Sequence, residues 1–428
     1  MMAAVSSTWA LLLGMALLMI GNGLQGTLLG VRASLEGFAT STTGILMSGY
    51  YVGFLAGSAL APRLVARVGH VRVFGALASL ASVAILVHAL FVGPATWLAM
   101  RLMSGFAYAG LYVVAESWLN EEATNATRGR LLSVYMVVSL GGVALGQALL
   151  NLADPSTPDL FVLVSVLVSL GLVPMLLSAS RTPAFEAPSA VGVRQLYDAT
   201  PTGVLGMFIT MIAQGAFFGM GAVYASEVGL SVGEISLFMG LALLGGVLLQ
   251  WPIGRLSDTF DRRQVIVTAS LLAAVLAFAA ALLGDDVPRL PLFALVSLFG
   301  GVLLPMYSLC IAYTNDYLRP DQMVDASGTL VLIGGLGACF GPISAGLAMA
   351  AFGPAAFFWW QGLTSAAIGA FALYRMTRRP ALPLDEQGAY VAMPRTTPYA
   401  AAMGAEVASG QEADGPHQSA REGASRGA

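Results

Sequence analysis

The chain is a succession of long, continuously apolar runs separated by short polar joints. An α-helix rises about 1.5 Å per residue, so about 20 apolar residues cross a hydrocarbon layer about 30 Å thick. Membrane strands would alternate apolar and polar positions, and these runs do not. The pattern predicts helices over 8–31, 42–62, 72–92, 94–118, 130–152, 159–179, 202–225, 232–253, 264–284, 288–313, 325–350 and 354–375. Gly, Pro, Asp and Arg mark the joints. The first run begins at Trp9 with no basic stretch before it and continues past signal-peptide length, so it is expected to be retained as a helix.

The joints also divide the chain. The predicted organisation is a six-helix bundle over 1–180, a cytoplasmic linker over 181–201, and a second six-helix bundle over 202–375. The tail, 376–428, is rich in Ala, Gly, Ser and Pro and is expected to be disordered, because it cannot bury a core of its own. The halves echo one another. Span four runs into Glu116-Ser117-Trp118-Leu119-Asn120 and span ten into Asn315-Asp316-Tyr317-Leu318-Arg319. Span five carries Gly141, Gly142 and Gly146; span eleven carries Gly334, Gly335, Gly337 and Gly341. Internal repeats of this kind build many transporter folds.

Arginine sets the expected orientation. Counting joints from the first residue, 14 arginines fall on the side of the termini and two, Arg32 and Arg289, on the other. Cytoplasmic loops accumulate basic residues. The expectation is a multi-pass protein of a bacterial inner membrane with both termini in the cytoplasm.

Composition narrows the partners. The chain is 57% hydrophobic and 10% charged, against about 25% charged in a soluble domain, so the lipid bilayer is its main solvent. All 20 basic residues are Arg and the net charge is −3; no nucleic-acid partner is expected, and the chain is expected to act as a monomer. Cys310 and Cys339 lie in apolar runs, and His70, His88 and His417 are far apart in sequence. That spacing supports neither a metal site nor a cofactor. There is no nucleophile–base pair or phosphate loop, so an enzyme is not expected.

The segment Gly254-Arg255-Leu256-Ser257-Asp258-Thr259-Phe260-Asp261-Arg262-Arg263, between spans eight and nine, resembles the loop signature of the major facilitator superfamily. The corresponding loop of the first half, Arg63 to Arg72, is an eroded copy with Ala66 where the signature has Asp. Arg101-Leu102-Met103-Ser104-Gly105 is similar to that superfamily's arginine motif. The glycines of spans five and eleven resemble its antiporter motif, but Gln147 stands where the motif has Pro. The stretch from Ala115 to Ser117 and from Arg128 to Leu132 further resembles a bacterial YcaD-type subgroup. The resemblance covers about 8–375. It implies an all-α membrane protein with the superfamily fold, twelve transmembrane helices in two pseudo-symmetric six-helix bundles. It also implies a central cavity lined by the first, fourth, seventh and tenth helices.

Several residues carry candidate chemistry. A charge inside a span costs at least about 2.5–3.5 kcal/mol on insertion scales, so Arg101 must face a cavity, a partner or the interface. Gly105, Tyr108, Tyr112 and Glu116 follow on its helix face. This stripe suits a helix beside an aqueous path; the competing reading is packing, with Arg101 on backbone carbonyls. Asn22 and Gln25 sit in Gly21-Asn22-Gly23-Leu24-Gln25-Gly26, which allows either local unwinding around a polar solute or close helix packing. With Gln214 and Tyr307 these make the expected cavity set: Asn22, Gln25, Arg101, Tyr108, Tyr112, Gln214 and Tyr307. Gln147, Asn151 and Gln361 are weaker candidates. Glu116 is expected to meet loop arginines such as Arg67, Arg128 or Arg130. Asp258 and Arg262, with Arg263 beside them, are expected to form an inner latch, with Asp258 at a helix N-terminus where the dipole favours an anion.

The expected activity is movement of a small-molecule substrate, a polar or anionic organic solute, across the membrane by alternating access. Buried acids in the path are few, so both proton coupling and facilitated diffusion stay open. The alternative is a non-transporting sensor or scaffold on the same fold.

Overall fold

The computed structural model describes residues 2–124, 127–177, 192–283, 288–393, 396–397, 399–401, 403–405 and 407. The first half comprises α1 (Met2–Leu35), α2 (Thr40–Val68), α3 (His70–Leu90), α4 (Pro94–Glu122), α5 (Arg128–Leu149) and α6 (Asp159–Leu177). A short helix, α7 (Val193–Ala199), precedes the second half. That half comprises α8 (Pro201–Glu227), α9 (Val232–Thr259), α10 (Arg262–Ala281), α11 (Arg289–Leu303), α12 (Met306–Asn315), α13 (Pro320–Phe352) and α14 (Ala356–Met376). Twelve spans among the described residues are long and apolar enough to cross a membrane, with α11 and α12 together forming the tenth. Of the expected linker, 181–191 lies outside the described residues, and the rest carries α7.

Small residues set the packing within each half. Gly49, Gly53 and Gly57 lie on one face of α2, against Leu98, Leu102 and Phe106 of α4; a Cβ on Gly105 would in turn run into the Tyr50 carbonyl. Such spacing lets helix backbones approach closely where lipid offers no hydrophobic driving force. The second half repeats the arrangement, with Gly245 of α9 on Ser297 and Gly300 of α11 on Ala242. Likewise Gly142 and Gly146 of α5 press on Met19 and Ile20 of α1, while Gly337 and Gly341 of α13 press on Phe208 and Ile212 of α8. The glycines that resemble an antiporter motif are thus the contact surfaces of two equivalent helix pairs.

The turns repeat as well. After α1, Phe38 N–H donates to Ala33 O and Gly37 N–H to Ser34 O; after α8, Leu230 N–H donates to Ala225 O and Gly229 N–H to Ser226 O. Gly37 and Gly229 both take φ +71°, a left-handed conformation that costs residues with a Cβ about 1–2 kcal/mol. The two Ala-Ser-x-x-Gly turns are copies of one device.

Helix α1 runs unbroken through Gly21–Gly26, so the unwinding allowed by three glycines does not occur. Gly23 instead lies against the backbone of Val143, and Gln147 donates to the Gly23 carbonyl at 3.0 Å. The tenth span does break, at Leu304–Pro305. Pro305 has no N–H to give, and the Gln214 amide donates to the Leu303 carbonyl there at 2.9 Å.

The two ends of the bundle differ. One end carries the loops at Gly69, Ala123, Phe260 and Tyr317 and the exit of α14; this is the arginine face. At the opposite face the halves meet directly. A Cβ on Gly44 would lie 2.5 Å from the Pro342 carbonyl. Ser48 donates to the Cys339 carbonyl at 2.7 Å, and Ser236 to the Gln147 carbonyl at 2.5 Å. At the arginine face, part of the tail lies between the halves.

Candidate functional site

A cavity of about 140 Å³ lies between the halves. The first half contributes Tyr50, Tyr51, Phe54, Leu55 and Ser58 of α2 and Tyr112 of α4. The second contributes Met211 of α8, Tyr307 of α12, and Val331, Leu332, Gly335 and Ala338 of α13. Thr396 of the tail closes it on the arginine side. Tyr50 and Ser58 each lie ten residues from an end of α2, roughly 15 Å along the axis, so the cavity sits at mid-depth. Sites at the repeat interface near the midplane are typical of secondary transporters.

The wall therefore comes mainly from the second and eleventh spans, not from the first, fourth, seventh and tenth as the resemblance implies. The glycine face of α2 is committed to α4, which turns Tyr50, Phe54 and Ser58, at successive intervals of four, toward the second half. Gly335 takes Leu55 in the same way, since a Cβ there would strike the Leu55 side chain.

Of the residues expected in the cavity, Tyr112 and Tyr307 line it. Arg101 stands one layer behind, with its guanidinium carbon 4.7 Å from the centroid of the Tyr50 ring. It is 6% exposed, no carboxylate among the described residues pairs with it, and its Nε has no hydrogen-bond partner. Its titratable neighbours are Tyr50, Tyr51 and Tyr108, all neutral phenols. The Asn22 amide lies against the Tyr50 and Tyr112 phenols. Gln25 donates to Ser104 at 3.3 Å, and Tyr108 is fully buried; both stay inside the first half. Gln214 serves the break in the tenth span, and Gln361 donates to the Ala213 carbonyl at 3.1 Å, so both hold helices together.

The arginine face keeps the expected Asp258–Arg262 pair but changes its setting and that of Glu116. Glu116 is fully buried, and the structure records no arginine among the described residues as its partner. Its carboxylate accepts from Tyr135 at 2.7 Å and from the hydroxyls of Thr396 and Thr397. Arg67 is exposed at the end of α2. Arg262 and Asp258 do approach, but at 3.6 Å, with Asp258 substantially exposed. The stronger partner of Arg262 is Asp316, at 2.5 Å with both side chains buried. Asp258 sits in the last turn of α9 rather than at a helix N-terminus. The carboxylate at an N-terminus is that of Asp261, which caps α10 and pairs with Arg263 at 2.9 Å.

The described tail residues from Met393 on are packed, contrary to the expected disorder, while most of those over 377–389 are exposed; 394–395, 398, 402, 406 and 408–428 lie outside the described residues. Thr397, Ala400, Ala401, Met403 and Ala405 are buried. Small side chains cannot make a core of their own, yet they fit a groove whose walls already exist. Burial pushes the Tyr390 phenol above its usual range, and its oxygen accepts from Gln250 at 2.7 Å.

Three residues of the site were hidden in the sequence, for two different reasons. Tyr50 and Tyr51 are a polar pair in an apolar run, opposite a four-residue glycine repeat, and that contrast was the available signal. Thr396 carries no local signal, because its place depends on a groove made by other helices.

Comparison with known proteins agrees with this architecture. A family profile described as Major Facilitator Superfamily matches residues 11–196 and 203–405. The curated protein "Uncharacterized MFS-type transporter YcaD" of Escherichia fergusonii is 29% identical over 335 residues, covering 78% of this chain and 86% of the relative; its counterpart in Escherichia coli strain 536 is also 29% identical over the same shares. Among solved structures, a mutant form of the nucleoside transporter NupG superposes with a TM-score of 0.74 at 12% identity, covering 86% of this chain and 99% of that one. A D-xylose–proton symporter gives 0.66 at 13%, covering 85% and 96%. The chain is a multi-pass membrane transporter with the all-α, twelve-helix fold, and it belongs to the major facilitator superfamily.

Proposed function

We propose that the protein moves a small polar or anionic organic solute across a bacterial inner membrane by alternating access, as a monomer with both termini in the cytoplasm. The observation that carries this reading is Arg101. A buried guanidinium without an acid partner is an uncompensated cation, and only the Tyr50 ring separates it from the cavity. An anionic group on a bound solute supplies the missing charge, and the tyrosine phenols supply hydrogen bonds and flat apolar surface. The lining residues include no carboxylate and no histidine, which favours facilitated movement. Glu116, one helical turn below Tyr112, is the residue through which a proton would be coupled. The structural neighbours are named for transport of nucleosides and D-xylose, which are neutral or polar solutes of comparable size.

Direct contact of the halves at the opposite face, and tail between them at the arginine face, corresponds to a conformation whose opening lies on the arginine side. The test is uptake into proteoliposomes of a panel of organic anions, sugars and nucleosides. Movement of at least one solute, abolished when the gradient is removed, supports the reading. If none moves or binds under any ion gradient, the sensor or scaffold reading replaces it.

A further inference from the structure

We propose that the described residues of the tail from Gly388 to Val407 form an inhibitory strap, which seals the arginine-side mouth of the cavity by tying the two halves together and must leave before solute passes. This rests on the transporter reading for its consequence, but its geometry does not.

The strap begins on the second half. Gly388 N–H donates to Asp316 at 3.0 Å, and its carbonyl accepts from Arg262 at 2.7 Å. Tyr390 N–H donates to Asp258 at 2.7 Å. The Tyr390 ring fills the space left by Gly254, where a Cβ would lie 2.5 Å from it. Met393 N–H donates to Ser308 at 3.1 Å. The described residues from Thr396 on lie against the first half. Thr396 and Thr397 both donate to Glu116 of α4, Tyr399 packs with Ala61 and Val113, and a Cβ on Gly129 of α5 would lie 3.6 Å from the Val407 side chain.

Two features make this a seal and not a loose tail. Thr396 is itself part of the cavity wall, so the strap stands where solute would enter. It also supplies donors to buried acids of both halves, Gly388 N–H to Asp316 and the Thr396 and Thr397 hydroxyls to Glu116. With the strap removed, the Glu116 carboxylate keeps, among the described residues, the Tyr135 hydroxyl, and an under-satisfied buried carboxylate is costly. The site is therefore built to be refilled, either by the strap or by water in an open mouth. Rocking of the halves changes the span between Asp316 and Glu116, so a strap held at both ends resists it.

The experiment uses the full chain with Cys310→Ser and Cys339→Ser, and Ser58→Cys in the cavity wall as reporter. Labelling by a maleimide supplied from the arginine side is measured in two further variants. Thr396→Val with Thr397→Val removes both hydrogen bonds at nearly constant shape. Gly129→Cys with Val407→Cys places two sulfurs within disulfide reach, closing the strap covalently under oxidation. The proposal expects labelling to rise about tenfold or more in the valine pair, the equivalent of one charge-assisted hydrogen bond. It expects labelling to fall in the oxidised lock and to recover with reductant. Labelling indifferent to both variants overturns it. Solute uptake, faster in the valine pair and blocked in the oxidised lock, is read separately. If labelling responds but no solute ever moves, the strap stands and the transporter reading fails.

Discussion

The Arg101 guanidinium lies 4.7 Å from the centroid of the Tyr50 ring, and it is that ring, not the arginine, that borders the cavity. The charge thus acts on the cavity through an aromatic face, and a small tilt of Tyr50 would expose it. Arg101→Met keeps the length of the side chain and removes the charge. Loss of a charge-assisted contact is worth about 1.5–3 kcal/mol, so KM for an anionic solute should rise about ten- to a hundredfold. The thermal unfolding midpoint in detergent should stay or increase, because an unpaired buried charge has been removed. A lower midpoint with unchanged KM would assign Arg101 to helix packing instead.

Gly141 and Gly142 are neighbours with opposite surroundings. A Cβ on Gly141 meets nothing within 4 Å, whereas one on Gly142 would lie 2.7 Å from the Met19 Cβ. Gly142→Ala should destabilise the first half by about 1–3 kcal/mol, as overpacked sites do, while Gly141→Ala is neutral. The equivalent change in the second half, Gly337→Ala, should match Gly142→Ala. Unfolding midpoints of the three variants check the expectation, and equal midpoints would refute it.

These glycines also show what the sequence reveals and what it conceals. Twelve spans and two halves follow from run length and joint order, since lipid forces every span to be helical and apolar. The repeat was visible in spans five and eleven, but its meaning, packing on α1 and α8, needed the partner helices. The polar stripe of α4 meets the cavity at Tyr112. Arg101, Tyr108 and Tyr112 stand out on α4 because they are polar, but Gly105 on that face presses against α2, so the pattern marked a contact as well as a path. The Arg262–Asp316 pair is not legible in the sequence, because ion pairs between distant spans leave no spacing to read; Asp258, four residues before Arg262, is the acid that sequence proximity offers.

The arrangement of Arg262 separates two acids experimentally. Asp316 is buried with it at 2.5 Å; Asp258 is substantially exposed at 3.6 Å. Removing one member of a buried pair costs about 3–5 kcal/mol, whereas an exposed pair is worth about 0–1 kcal/mol. Asp316→Asn should therefore lower the unfolding midpoint and also loosen Gly388, while Asp258→Asn changes the midpoint little. Thermal unfolding of the two variants in detergent is the measurement, and a larger effect at Asp258 would restore it as the main latch.

The 14 arginines on one side against two on the other predict an orientation with the arginine face in the cytoplasm, and orientation decides from which compartment the strap and the cavity mouth are reached. Arg67, exposed at the end of α2, marks the arginine face, and Leu152, 67% exposed, the opposite one. In the background lacking Cys310 and Cys339, Leu152→Cys should react with a membrane-impermeant maleimide on intact cells. Arg67→Cys should react only after permeabilisation. Uptake should be unchanged in Arg67→Cys, since no ion pair holds that side chain among the described residues. The reverse labelling pattern would place the mouth of the cavity on the outside and turn the strap into an extracellular seal.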